Sequence, residues 1–148
     1  MSYSPNFRGS TSSAPSESVQ SVLDNNTGGT IDALTPIYSN TSGDMALIDV
    51  SDESKSFAIA GITVGSVAHL SSGSIANSGR LTDVTVTGVF GDTLYVSKAG
   101  GLTSTKPSEG VGGFLAGDWI IRIGVVVKNQ NNPSNKDLLL QISVVGQL

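Results

Sequence analysis

Residues 119–128 read WIIRIGVVVK, an almost uninterrupted apolar run whose side chains alternate about an extended backbone. Successive side chains of a strand point to opposite faces. Trp119, Ile121, Ile123, Val125 and Val127 therefore share one face, and Ile120, Arg122, Gly124, Val126 and Lys128 share the other. The first face predicts core; the second, mixed, suits contact with a neighbouring chain. A second run near the end places Leu138, Leu140, Ile142 and Val144 on one face and Leu139, Gln141, Ser143 and Val145 on the other. The segment between them, NQNNPSNK, is rich in Asn and Pro, which favour turns. Together the two runs predict the central hairpin of a β-domain.

Most of the remaining chain from residue 31 onward has the same character. Strands are expected over residues 31–38, bent or at an edge because of Pro36, and over 45–50 and 62–70. Val84 and Val86 alternate with polar neighbours, as do Leu94 and Val96. Residues 71–80 read as a Ser/Gly turn around Ile75, and Lys98-Ala99-Gly100-Gly101 as the turn of a hairpin. Asp49, Ser51, Asp52 and Glu53 supply the capping oxygens and first-turn acids of a helix start, which predicts a short helix over residues 53–60. Turn signals recur about every 8–12 residues, the spacing of a sandwich or barrel. There is too little helix to cover a parallel sheet. The fold class is all-β: a small β-sandwich or barrel with one short helix and an extended N-terminal arm.

At 148 residues the chain is long enough for one domain burying about 70% of its unfolded surface. Residues 1–30 stand apart as a Ser-rich arm, leaving residues 31–148 as the β-rich domain. Eight serines fall within the first 21 residues, with Pro5 and Pro15 among them, and such a stretch has little apolar surface to offset its ordering entropy. Tyr3, Pro5, Phe7 and Arg8 are its candidate partner-binding residues, since aromatic and Arg side chains anchor interfaces. Val19, Val22 and Leu23 suggest a short helical turn over residues 17–24. Charged residues make up 14% of the chain, against about 25% in typical proteins, which reduces repulsion between closely packed copies. A net charge of −4 with eight scattered basic residues argues against nucleic acid and against anionic membrane surfaces as partners. No apolar run reaches the roughly 18 residues of a membrane span. The first residues, MSYSPNFRGS, lack the apolar stretch of a secretory signal. The absence of cysteine rules out disulfides and thiolate metal sites.

Catalytic constellations are equally sparse. His69 is the single histidine, and abundant serine without a G-x-S-x-G elbow does not make a triad. One His and no Cys disfavour a transition-metal site. Asp44, Asp49, Asp52 and Glu53 do not follow a calcium-loop spacing, and helix capping explains the last three. The Gly-rich residues 109–114 lack the Gly-Lys-Ser/Thr of a phosphate cradle and read as a loop tip. Asn25-Asn26-Thr27 and Asn40-Thr41-Ser42 match the glycosylation pattern by chance. The expectation is a chain that is not an enzyme, with no catalytic, cofactor or metal residues.

From residue 57 to 127 the order of segments is SFAIAGITVGSV, SGRLTDVTVTG, GDTLYVSKAGGLTSTKP and DWIIRIGVVV. It resembles accessory structural proteins of tailed bacteriophages, namely capsid decoration (cement) proteins and related fibre, collar or baseplate modules. The resemblance is carried by Gly91, Asp92, Leu94, Tyr95, Val96, Gly100, Gly101, Leu102, Thr103, Thr105, Pro107, Ile123, Gly124 and Val125, and covers about half the chain. It implies a β-rich domain, commonly trimeric, that binds the major capsid protein or another virion protein and performs no catalysis. The implied location is the virion, assembled in the host cytoplasm. Two alternatives remain. One is a fibre, collar or baseplate component docking through the Ser-rich segment. The other, of a different class, is a carbohydrate-binding or depolymerising module with Trp119 and Tyr95 as platforms, although Trp119, heading an apolar face, is expected in the core.

Overall fold

A computed structural model describes residues 17–148. The described chain forms strands β1 (Glu17–Asp24), β2 (Pro36–Ser39), β3 (Met45–Leu47), β4 (Ile59–Thr63), β5 (Ser72–Val84), β6 (Thr93–Val96), β7 (Leu102–Thr103), β8 (Trp119–Lys128) and β9 (Lys136–Gln147), with helix α1 (Glu53–Phe57) between β3 and β4. All pairings between these strands are antiparallel. They build one sheet in the order β3-β2-β4-β5-β9-β8-β6-β7, with β1 added to β5. The sheet curls into a half-barrel, so that Ile48 and Val50, just beyond β3, share a core with Leu94 and Val96 of β6 and Ile121 of β8. A smaller cluster of Ile31, Ile37, Met45, Val67 and Ile75 fills the other end, with Leu23 packed against it. The all-β expectation holds.

The expected central hairpin is present. β8 and β9 pair from Trp119↔Gln147 to Lys128↔Lys136. The strict alternation read along β8 does not survive, because irregularities between Ile120 and Ile121 and between Arg122 and Gly124 shift its phase. Ile121, Ile123 and Val126 become the buried row, and Val125 and Val127 are only partly buried. Gly124 sits at this step against β9, where a Cβ would collide with the Leu139 carbonyl oxygen. The glycine is thus a condition of the register.

The strands expected over residues 31–38, 45–50 and 62–70 are shorter or displaced, at 36–39, 45–47 and 59–63, and two further segments differ in kind. Residues 17–24 are a strand, not a helical turn. Their backbone groups pair with β5 from Glu17↔Arg80 to Asp24↔Ser72, and a docked edge satisfies more of them than one isolated turn would. Residues 71–80 are mostly strand rather than turn, because β5 runs through them as the most connected element of the sheet. Its glycines serve close approach: Gly79 has φ +91°, and a side chain there would strike the Glu17 carbonyl oxygen.

Helix α1 ends at Phe57, three residues short of the expected end, and is capped by Asp52, whose carboxylate accepts from the Lys55 N–H at 3.2 Å. The Gly-rich residues 109–114 are pinned to the domain. Phe114 is buried in the main core, and the Phe114 N–H donates to the Val111 carbonyl.

Two buried carboxylates lock the sheet. Asp137 of β9 accepts from Arg80 Nη1 of β5 at 2.7 Å, from Asn129 Nδ2 at 2.9 Å and from the Asp83 N–H at 3.0 Å. Asp118 accepts from Lys98 Nζ at 2.7 Å and from the Leu115 N–H at 2.8 Å. Burial acts to raise both carboxyl pKa values, but the hydrogen bonds and cations outweigh it and hold both below the ordinary carboxylate range.

Candidate partner-binding surface

The groups with chemical potential have structural occupations. His69 Nδ1 accepts from the Gly28 N–H at 3.0 Å and so ties one loop to another. Asp49 accepts from the hydroxyl and N–H of Ser51, and Asp52 from the Ser54 hydroxyl and the Lys55 N–H. These hydrogen bonds, the serine hydroxyls foremost, lower both pKa values. Among the described residues no three His, Cys, Asp or Glu side chains gather as a metal site, and no helix is long and apolar enough to cross a membrane. Asn25, part of a glycosylation pattern, is buried, with Nδ2 donating to the carbonyls of Gly29 and Val67.

The surface features that stand out are sheet edges. Any strand residue has two lateral sides. Ile75 and Ala76 of β5 pair with β1 on one side and β4 on the other, whereas Ser78, Gly79 and Arg80 pair with β1 and β9. β4 and β9 therefore follow one another along the same side of β5, handing over at Asn77, and β1 occupies the opposite side alone. Asn77 is the residue skipped in the β1 register, between Ser78↔Val19 and Ala76↔Gln20. A bulge of this kind bends its strand, and β4 and β9 separate there.

Two long edges result. The outer side of β1 is unpaired among the described residues, with Val19 59% and Val22 66% exposed. Residues 142–147 of β9 pair with β8 but lie past its last pair with β5, Gln141↔Ser78. The terminal strands β3 and β7 expose only three and two residues of edge. Natural sheets protect edges by shortness, Lys or Pro. β1 has eight residues and neither Lys nor Pro.

Where β4 and β9 part, a cleft of about 440 Å3 opens, walled by Ile59 and Ala60 on one side and Ile142 and Val144 on the other, with Asn77 where the strands separate. Phe57, at the end of α1, stands at its rim 57% exposed and meets Trp119 edge-on, with ring centroids 4.9 Å apart at 83°. On its other flank Phe57 borders a shallow hollow lined by Asp49, Asp52 and Glu53. The cleft combines apolar side chains with Asn77 and Ser143 and carries strand edge unpaired among the described residues, which suits it to an extended peptide.

The sequence pointed elsewhere. Tyr3, Pro5, Phe7 and Arg8 lie outside the described residues. Trp119, expected in the core, is only partly buried, and Tyr95 lies on β6, away from it in sequence and pairing with Arg122 and Thr103. Phe57, Ile142 and Val144 were not singled out as surface. Their one visible signal is an aromatic residue at the exposed end of a short amphipathic helix. Comparison with protein-family models and with curated protein sequences finds no match to this chain.

Proposed function

We propose that this chain is a non-enzymatic structural protein of a tailed-bacteriophage virion that decorates or cements the capsid, acting in many copies and as a trimer. The observation that carries this reading is the eight-residue β1 edge, which is long, carries charge only at its two ends, Glu17 and Asp24, and exposes Val19 and Val22. Such an edge in a protein of low charge density is a surface prepared for cover. The buried ion pairs at Asp137 and Asp118 supply the rigid scaffold that presents it. The phage assignment itself rests on the sequence resemblance of residues 57–127.

The test is to add purified protein to undecorated phage heads and count bound copies. Saturable binding at hundreds of copies per head is expected, with Val22→Lys lowering affinity at least tenfold. A few dozen copies or fewer, confined to one vertex or to the tail, would instead indicate a collar, baseplate or fibre component. No binding to heads or tails, together with binding on a glycan array that Trp119→Ala abolishes, would replace the structural role with carbohydrate recognition.

A further inference from the structure

We infer that the cleft between β4 and β9 receives the N-terminal segment of a second copy of this chain, with Phe7 seated against Phe57 and Arg8 facing Asp49, Asp52 and Glu53. This inference rests on the proposed many-copy coat and names the contact that would join its copies.

The cleft first defines its occupant by shape. It is bounded by strand edge on the β9 side and by the apolar side chains of Ile59, Ile142 and Val144, so it takes one extended strand rather than a helix or a second sheet. The residue order of 1–16 has the alternation that such a strand would need. In an extended chain Tyr3, Pro5 and Phe7 fall on one face and Ser4, Asn6 and Arg8 on the other. The apolar face matches the cleft walls. Pro5 has no N–H to donate, which confines it to a strand with one open side. A segment containing it would cap the β9 edge and stop further strand addition.

Charge narrows the choice further. Arg8 is the only charged side chain in residues 1–16. The rest of the chain therefore carries −5, since −4 minus +1 is −5. The sequence joins Arg8 directly to Phe7. The structure likewise places an aromatic ring, Phe57, between the cleft and a hollow lined by three carboxylates. The lowered pKa values of Asp49 and Asp52 keep those two groups ionised. An Arg stem lying beside Phe57 would bring its guanidinium among them.

The proposed many-copy coat selects a second copy over the same chain, and the length of the segment permits it. Glu17 begins β1 opposite Arg80, on the side of β5 away from the one that β4 and β9 share. The segment's root thus lies one strand, β5, away from its own cleft, so its own cleft and a neighbour's are both within reach and the linking experiment separates them. Sixteen extended residues span about 50 Å, more than the width of a domain this size, about 30–35 Å by its expected radius of gyration.

The absence of cysteine makes the test clean. Full-length Asn6→Cys and full-length Ala60→Cys proteins are mixed at low micromolar concentration and oxidised, and the 6–60 linked peptide is quantified by mass spectrometry. The link can form here only between chains. Expected is a yield at least tenfold above that of Asn6→Cys mixed with Ser134→Cys, whose cysteine lies in the polar loop before β9. Adding Arg8→Glu to the first protein should cut the yield severalfold, and adding Glu53→Arg to the second should restore it. A yield equal to the Ser134→Cys control overturns the inference. So does a 6–60 link that forms within single chains of the Asn6→Cys/Ala60→Cys double variant while the mixture stays unlinked. No phage heads are present, so failure to bind capsids would sink the coat role without touching this result, and the reverse holds as well.

Discussion

The two halves of β9 are built from the same kind of residue yet do opposite work. From Lys136 to Gln141 the strand has β8 on one side and β5 on the other, and its Asp137 draws three donors into the interior. Beyond Gln141 one side is unpaired among the described residues, Ile142 and Val144 are only partly covered, and Val145 is exposed. β1 repeats the contrast across its width, with one side docked on β5 and the other unpaired among the described residues. A strand whose hydrogen bonds and apolar face are fully met contributes stability. One left half-met contributes little and remains available to a partner.

The contrast can be broken most forcefully in the saturated half. Asp137→Ala leaves Arg80 and Asn129 without their acceptor and should cost about 3–5 kcal/mol, as loss of one member of a buried pair does; urea unfolding measures it. Gly124→Ala forces a Cβ onto the Leu139 carbonyl and should cost about 1–3 kcal/mol as overpacking, read from the same curves. Acid should weaken the same half by a smaller and graded amount. The carboxyls of Asp118 and Asp137 titrate lower in the folded state than the roughly 3.9 of an unfolded Asp. Their stabilisation is therefore present above that value and lost as pH falls through the folded pKa values. The urea midpoint should drop as pH falls below about 4, and Asp118→Asn/Asp137→Asn should flatten that drop; an equally steep fall in the double variant would remove these two groups as its cause. The open half should respond least. Val22→Lys on β1 should change stability by less than about 0.5 kcal/mol, while it lowers affinity for heads at least tenfold. A large loss of stability there would mean that the edge is structural after all.

Period-two patterning revealed β8 and β9 because both faces of each carry long apolar side chains, and Asp52 announced the start of α1 through its capping chemistry. The same logic failed at β1. Val19, Val22 and Leu23 are spaced as on a helix, yet in the strand Val19 and Leu23 share a face and Val22 points away from it. It failed again at β5, whose SGSIANSG stretch has turn composition. β-propensity depends on the neighbours a strand acquires, and β5 acquires three. The phase shift within β8 and the parting of strands at Asn77 arise from mismatched registers between distant segments, which no local window contains. The candidate cleft follows from that parting, so its walls were legible only as apolar residues, never as a surface.

The edge-on contact of Phe57 with Trp119 has a practical corollary. Trp119 is the single tryptophan in the chain, and its neighbour forms the rim of the cleft. Excited at wavelengths too long for its three tyrosines, the unlabelled protein emits from one indole beside the place where a guest would lodge, and a change in colour or intensity on titration gives an optical gauge of occupancy that requires no dye.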